Sequence, residues 1–179
     1  MNESHYIEGC KKHDRLSQEK LYRQFYPALF ALCRTFFDDN HEILTALNNG
    51  MLKVFRNIDQ YNPGKGSFFN WVYTVVRNAA LTEVRNKSTG TSLVYTESLP
   101  DTASFNPFAE KEWDDIYLLL GKLPVTTRAV CILYYNEGFS IKEVSSLLEM
   151  KEGTVKWHLN DGRNRLRKIF VPNFNKSEE

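Results

Sequence analysis

Apolar residues recur at helical spacing in two blocks of this 179-residue chain, and an aperiodic segment separates the blocks. The first block covers residues 15–87 and the second covers residues 108–170. A period of about 3.6 residues places apolar side chains on one face of a helix, which must bury that face against a neighbour. The pattern therefore predicts an all-α fold with two helical domains.

The first block contains three helical segments, LYRQFYPALFALCRTFF, HEILTALNNGMLKVFRNI and SFFNWVYTVVRNAALTEVRNK. Turn-forming residues separate them in FFDDNH and YNPGKGS. Ser67 is the predicted N-cap of the third helix, and Pro27 predicts a kink or restart within the first. On the third helix the predicted packing face carries Phe68, Val72, Val75 and Ala79. The predicted polar face carries Asn70, Thr74, Arg77, Asn78 and Arg85.

Residues 88–107 form the aperiodic segment, which is rich in Ser, Thr and Pro in STGTSLVYTESLPDTASFN. Such a composition is typical of a flexible linker. We therefore divide the chain into an N-terminal extension (1–14), a first domain (15–87), this linker, a second domain (108–170) and a C-terminal tail (171–179).

The second block predicts four short helices, in FAEKEWDDIYLLLGKL, TTRAVCILYYNEG, SIKEVSSLLEM and TVKWHLNDGRNRLRK. Ser140 and Glu143 have the spacing of a capping box at the start of the third helix. The third and fourth helices have the proportions of a helix-turn-helix, whose second helix lies in a DNA major groove. The predicted buried stripe of the fourth helix is Val155, Leu159, Leu166 and Ile169. Its predicted reading face is Lys156, Asn160, Arg163 and Arg167, with Trp157 further round.

The formal net charge is only +1, from 23 basic and 22 acidic residues. Attraction to a polyanion must therefore come from segregation of charge along the chain. Basic residues collect in RNRLRK and acidic residues in EKEWDD. A charged helix face is often only a solvated face, but the Gly-containing turn and the capped helix before it favour DNA binding. The two charged segments also suggest that the domains dock on each other in the free protein and hide both DNA surfaces.

Other classes of protein are not indicated by the sequence. The three cysteines, Cys10, Cys33 and Cys131, have no paired spacing and are expected to be reduced thiols in a cytoplasmic protein. No segment has the length and apolarity of a membrane span or a signal sequence. Walker-type GK[ST], HExxH, GxSxG and CxxC motifs do not occur, so we expect no catalysis, cofactor or metal.

The second block resembles region 4 of bacterial RNA polymerase sigma factors of the extracytoplasmic-function (ECF) group. The resemblance runs through LPVTTRAVCILYYNEGFSIKEVSSLLEMKEGTVKWHLNDGRNRLRK. The matching positions are Pro124, Arg128, Glu137, Gly138, Ser140, Glu143, Gly153, Thr154, Val155, Lys156, Arg163, Leu166 and Arg167. The segment QYNPGKGSFFNWVYTVVRNAALTEVR is similar to the promoter-melting part of region 2 in the same group, at Phe68, Trp71, Arg77, Asn78 and Arg85.

The resemblance implies a transcription initiation factor with two DNA surfaces. The residues it places at the −35 element are Thr154, Lys156, Trp157, Asn160, Arg163 and Arg167. Those it places at the −10 element are Asn62, Lys65, Ser67, Asn70, Trp71, Arg77 and Asn78. A melted strand is typically held by aromatic stacking, polar contacts to base edges and positive charge, which this second set could provide.

The resemblance also implies that the second helix binds the polymerase core, its β′ and β subunits, through Thr45, Asn48, Asn49, Leu52, Lys53 and Arg56. Members of the family usually carry an acidic and amide cluster there, whereas this chain reads ILTALNN over residues 43–49. Charge-assisted hydrogen bonds are each worth about 1.5–3 kcal/mol. Core binding is therefore expected to be weaker or to depend on Lys53, Arg56 and apolar contacts.

Two alternatives remain open at this point. One is a stand-alone helix-turn-helix regulator that binds duplex DNA without polymerase. The other is a degenerate decoy that binds an anti-sigma protein but does not initiate transcription. Promoter DNA, core polymerase and an anti-sigma protein are the partners that the resemblance implies.

Overall fold

The computed structural model describes residues 3–89 and 119–174. Within these ranges the chain forms helices and no strands, which confirms the all-α prediction. The helices are α1 (Glu3–Lys11), α2 (Arg15–Arg34), α3 (Asn40–Arg56), α4 (Phe68–Thr89), α5 (Val125–Cys131), α6 (Ile141–Leu147) and α7 (Glu152–Phe174). The greater part of the predicted linker and of the helix predicted in FAEKEWDDIYLLLGKL lies outside the described residues.

Side-chain caps explain where the helices of the first half begin. Asp14 accepts a hydrogen bond from the backbone N–H of Ser17 at 2.9 Å, and Asp39 accepts from His41 at 2.9 Å. Ser67 Oγ accepts from the N–H of Asn70 at 3.2 Å, which confirms the predicted cap. The helix α2 runs through Pro27 without restarting.

The core of the first half lies where α3 packs against α2 and α4. Gly50 brings α3 and α4 together, since a Cβ atom added there would lie 2.8 Å from Val76 Cα. The packing face predicted for α4 is confirmed, because its four apolar members are all buried.

In the described part of the second half, α5 continues as a π-helical turn over Ile132–Asn136. The predicted capping box then starts α6. Glu143 N–H donates to Ser140 Oγ at 3.3 Å, and Ser140 N–H donates to Glu143 Oε2 at 2.8 Å. In α7 Val155 and Leu159 are buried, whereas Leu166 and Ile169 are only half-buried.

Gly162 sets the distance between α5 and α7. A Cβ atom added there would lie 2.6 Å from Cys131 Sγ and 3.3 Å from Thr127 Cγ2, both in α5. We expect Gly162→Ala to lower the free energy of unfolding by about 1–3 kcal/mol, because the packed helices must separate.

Gly153→Ala is the matched control for this substitution. It lies in the same helix, and its added Cβ would meet open space. It should raise stability slightly, by about 0.5–1 kcal/mol, because alanine has the higher helix propensity. Equilibrium urea unfolding measures both variants, and equal stabilities would contradict the close α5–α7 contact.

Over the described residues, the two halves form one continuous apolar core, and three ion pairs join them. Arg128 binds Asp38 through both terminal nitrogens, at 2.9 and 2.7 Å, and Arg77 binds Glu137 at 2.8 Å. Arg85 pairs with Glu149. The expectation that docking hides both DNA surfaces is therefore wrong for α7, whose basic side chains remain exposed. The acidic segment of that hypothesis lies outside the described residues.

Candidate nucleic-acid interface

The outer face of α7 is exposed along its first four turns. Its buried side is formed by Val155, Leu159 and Gly162, which pack toward α5 and α6. The exposed side chains include all six predicted −35 residues, namely Thr154, Lys156, Trp157, Asn160, Arg163 and Arg167. This surface combines hydrogen-bonding amides and hydroxyls with guanidinium forks. Such a set can read base edges and hold phosphates in a major groove.

Trp157 gives this face an apolar element. Its side chain is 59% exposed, and its ring meets the ring of His158 edge-on, with centroids 4.8 Å apart. An exposed ring of this size on a basic helix can contact the C5-methyl group of thymine in the major groove.

His158 fixes α7 on α5 from the half-buried side of the helix. Thr127 Oγ1 lies 2.9 Å from His158 Nδ1 and 3.4 Å from Asp161 Oδ2. Burial lowers the pKa of His158, while the nearby Asp161 carboxylate acts weakly in the opposite direction. The neutral imidazole is therefore the form that fits this contact.

Acidification is expected to destabilise the protein through His158. The pKa of this group is lower in the folded protein than its ordinary value of 6.5, so the unfolded chain binds the proton more readily. Its contribution to stability is complete above pH 6.5 and is lost as the pH falls through the lowered folded pKa. Urea unfolding at pH 7 and pH 5.5 should show this loss in the parent protein and a smaller loss in His158→Asn. Substitution of the exposed His41 by asparagine is the control, and an undiminished loss in His158→Asn would contradict the assignment.

The first half presents a short loop and the first turn of α4. Asn62 Oδ1 accepts from Gly64 N–H at 2.8 Å, and Gly66 has a φ of 147°, which a residue with a side chain rarely adopts. Five of the predicted −10 residues lie here. Asn62, Lys65 and Ser67 are exposed, and Asn70 and Trp71 are half-buried.

Trp71 is held in an aromatic cluster. Its ring stacks on Phe68 with centroids 5.8 Å apart and lies 5.9 Å from the ring of Tyr61. Tyr61 Oη donates to the carbonyl of Gly66 at 3.2 Å, which ties the cluster to the loop. The cluster leaves part of the indole accessible, so Trp71 both packs and remains able to stack on a base.

The other two predicted −10 residues have their polar atoms buried. Arg77 is 4% exposed, and both terminal atoms of the Asn78 side chain are buried. The predicted polar side of α4 is therefore not exposed along its whole length, because Glu137 and Phe139 cover Arg77. The sequence alone could not reveal this contact, which joins residues sixty positions apart.

The exposed face of α3 carries the residues predicted to bind core polymerase. Asn48, Leu52 and Arg56 are exposed, and Thr45, Asn49 and Lys53 are half-buried. The structure adds Leu44 to this face, 37% exposed, and Tyr22 from α2, whose hydroxyl donates to Asn48 Oδ1 at 2.8 Å. Neither Leu44 nor Tyr22 was predicted from the sequence, although Leu44 lies one helical turn before Asn48. Glu42 is the only acidic residue of α3.

Each half of the chain matches the profile of a known protein family. The family profile "Sigma-70 region 2" matches residues 21–89, and the profile "Sigma-70, region 4" matches residues 113–166. Together they cover about two thirds of the chain. The chain belongs to the sigma-70 family. Region 2 holds the predicted −10 and core-binding residues, and region 4 holds the predicted −35 residues except Arg167, which follows directly.

Relatives place the chain in the ECF group. The ECF RNA polymerase sigma factor SigE of Mycolicibacterium smegmatis is 27% identical over 161 residues, which are 84% of this chain and 60% of that protein. SigW of Bacillus subtilis is 24% identical over 178 residues, covering 90% of this chain and 93% of that protein. The sigma factor RpoE of Bartonella quintana, solved with the anti-sigma factor NepR, is 21% identical, with a TM-score of 0.49 over 86% of this chain and 96% of that chain.

No helix in 3–89 or 119–174 combines the length and the apolarity that crossing a bilayer requires.

Proposed function

We propose that this chain is a transcription initiation factor that binds RNA polymerase core and directs it to specific promoters. The observation that carries the proposal is the presence of regions 2 and 4 in one chain, in that order, with an exposed basic reading face on α7. The ECF relatives are named as RNA polymerase sigma factors, which supports the same role.

Region 4 is proposed to bind the −35 element as duplex DNA. The start of α7 would enter the major groove, where Lys156, Asn160 and Arg163 meet base edges. Arg167 lies one turn further along and would contact a phosphate. Thr154 and Trp157 complete the surface with a hydroxyl and an apolar ring.

Region 2 is proposed to hold the melted −10 element. The loop residues Asn62, Lys65 and Ser67 would contact the strand, and Trp71 would stack on a base. Asn70 lies on the same turn of α4. Arg77 and Asn78 would extend the surface once region 4 has moved away from them.

The α3 face is proposed to bind core polymerase, and its chemistry differs from an acidic site. Leu44 and Leu52 supply apolar surface, and Asn48 and Asn49 supply amides. Asn48 accepts from Tyr22 at 2.8 Å, and Asn49 donates to Glu83 at 3.1 Å, so both amides are held in place. Burial of apolar surface is less sensitive to salt than ion pairing. Core binding by this chain is therefore proposed to persist at salt concentrations that weaken an acidic interface.

Leu52→Asp tests this face. A carboxylate in place of a leucine that is buried on binding should weaken core affinity by about 1.5–3 kcal/mol, roughly ten- to hundredfold. Gln24→Asp is the control, because it adds the same charge on the side of α2 opposite Tyr22. Fluorescence titration with core polymerase at several salt concentrations measures both. Equal affinities for the two variants would contradict the proposed interface.

The remaining assignments follow from family membership. The sigma-70 family is a family of transcription factors, and we infer that this chain catalyses no reaction of its own. A cytoplasmic location is proposed because RNA polymerase and promoters are there. An anti-sigma protein is proposed as a further partner from the resemblance to the ECF group.

A stand-alone regulator of duplex DNA is the second candidate, favoured by the scarcity of carboxylates on α3. Co-elution with core polymerase on a sizing column separates the two candidates. A sigma factor elutes with core, whereas a stand-alone regulator binds duplex DNA and elutes alone.

A further inference from the structure

The N-terminal helix α1 belongs to none of the surfaces described above, and the region 2 profile begins only at residue 21. The helix is nevertheless docked on the protein. Ile7 and Cys10 are 8% and 0% exposed, and both belong to the apolar core. The helix packs against α2 and against a short 3₁₀ turn over Ile58–Gln60. That turn leads directly into residues 61–67, which we call the −10 loop because three of the predicted −10 residues lie in it.

A tight turn fixes the position of α1 relative to α2. His13 has a φ of 58°, and the N–H of Asp14 donates to the carbonyl of Gly9 at 2.9 Å. Asp14 also accepts from Ser17 Oγ at 2.6 Å. Gly9 lies against the same serine, since a Cβ atom added at Gly9 would be 2.1 Å from Ser17 Oγ and 2.7 Å from Ser17 Cβ. No side chain fits between α1 and α2 at this point.

Tyr61 connects the 3₁₀ turn to the −10 loop. Its N–H donates to the carbonyl of Ile58 at 3.2 Å, and its hydroxyl donates to the carbonyl of Gly66 at the other end of the loop. Its ring also contacts Trp71 in the aromatic cluster. Burial raises the pKa of Tyr61, and the carboxylate of Glu3 adds to this shift, so the first turn of α1 lies within electrostatic reach of the ring.

The last turn of α1 also lies near the 3₁₀ turn. Lys11 Nζ donates to Glu8 Oε1 at 2.8 Å, and this hydrogen bond raises the pKa of Lys11. The carboxylate of Asp59, within the 3₁₀ turn, adds a smaller attraction. Both ends of α1 therefore interact with residues 58–61, while the middle of the helix is buried through Ile7.

We propose that α1 is a brace for the −10 loop. By holding residues 58–61 it sets the positions of Tyr61 and Trp71, and it thereby sharpens base recognition at the −10 element without contacting DNA itself. This inference rests on the proposed function for the role of the loop. A loop that already has its binding conformation loses less conformational entropy when a strand binds, and groups held in place distinguish bases by position. Ile7 and Gly9 are positioning residues in this account.

A helix that only stabilised the fold would have different effects. Loosening such a helix would lower the free energy of unfolding and would affect every DNA contact through the folded fraction alone. A brace acts on the loop within the folded protein, so its loss changes −10 recognition and leaves −35 binding intact. The variants are therefore compared in buffer in which each of them is folded.

Hydrogen exchange tests the brace without DNA or polymerase. In Gly9→Ala the added methyl group forces α1 away from Ser17, and amide exchange over residues 58–67 should become about tenfold faster. Adding Ser17→Gly removes the opposing side chain and should bring the rates back to those of Ser17→Gly alone. Gly162→Ala, which strains the α5–α7 contact instead, is the control for lost stability and should leave these amides unchanged.

Parental exchange in folded Gly9→Ala, or no recovery in the double variant, would overturn the brace. If Gly9→Ala does not fold, Ile7→Val decides, because it removes one methylene group from the buried side of α1. It should raise the exchange rates over residues 58–67 by about two- to threefold, and parental rates would overturn the brace.

DNA binding by the complex with core polymerase tests the effect on recognition. The probes are a labelled −10 single strand from a promoter that the parent uses, the same strand with single base changes, and a labelled −35 duplex. Gly9→Ala should bind the promoter strand about tenfold more weakly and distinguish the changed strands less well, with the duplex bound as by the parent. Gly162→Ala should bind the strands as the parent does. Equal weakening for strand and duplex, or parental base discrimination in Gly9→Ala, would overturn the positioning role.

The two experiments separate this inference from the proposed function. If exchange over residues 58–67 changes as expected but the parent supports no transcription with core polymerase, the contact of α1 with the loop stands, and the proposed function and the positioning role both fail. If the parent supports transcription but folded Gly9→Ala keeps parental exchange and base discrimination, the brace alone is overturned.

Discussion

Arg128→Ala is expected to lower the free energy of unfolding by about 3–5 kcal/mol. The Arg128 side chain is 2% exposed and lies within the core between the halves. Besides its two bonds to Asp38, it donates to the carbonyl oxygens of Gly121 at 2.6 Å and Leu123 at 3.3 Å. Its removal leaves a cavity and buried carbonyl groups without partners.

Asp38→Asn is the control for Arg128→Ala. The Asp38 side chain is 68% exposed, so solvent screens the pair, and its loss should change stability by no more than about 1 kcal/mol. Arg128 lowers the pKa of Asp38, mainly through their hydrogen bonds, so this small contribution is present above the ordinary carboxyl range and is lost in acid. Urea unfolding of both variants tests the asymmetry. Similar losses for the two would show that the carboxylate, and not the buried guanidinium, holds the halves together.

Arg163→Ala is expected to weaken binding to the −35 element by about 1–3 kcal/mol and to relax base preference at one position. Arg163 is exposed beside Lys156 and Asn160 on the reading face of α7. Arg167→Ala should weaken binding more evenly across sequences and make it less dependent on salt, as the loss of a phosphate contact does.

The binding measurement uses a panel of −35 duplexes with single base changes at several salt concentrations. Lys142→Ala, an exposed cation on α6, is the control for loss of charge alone. Unchanged affinity and unchanged base preference in both arginine variants would contradict the assignment of α7 as the helix that binds the −35 element.

Local signals in the sequence were sufficient to predict most of the described helices. Ser140 and Glu143 defined the start of α6, because a capping box needs only neighbouring residues. The exposed side of α7 followed from its periodicity, since six polar or aromatic positions fall away from the buried stripe. Family resemblance supplied the roles of these surfaces, which periodicity cannot provide.

Contacts between distant residues could not be predicted in the same way. The helical period places Arg77 on the polar side of α4. In the structure Glu137 and Phe139, which are distant in sequence, bury its side chain. Asp38 and Arg128 are ninety positions apart and have no local pattern in common. The π-helical turn over Ile132–Asn136 was also missed, because its sequence has the composition of an ordinary apolar helix. Tertiary packing decided each of these features.

We propose that this chain directs RNA polymerase to promoters, and run-off transcription with bacterial core polymerase and a randomised promoter library is the decisive test. We expect transcripts that require the chain and that share a −35 and a −10 element. Leu52→Asp and Arg163→Ala should reduce their yield. Binding of duplex DNA without any transcript that depends on the chain would contradict the proposal.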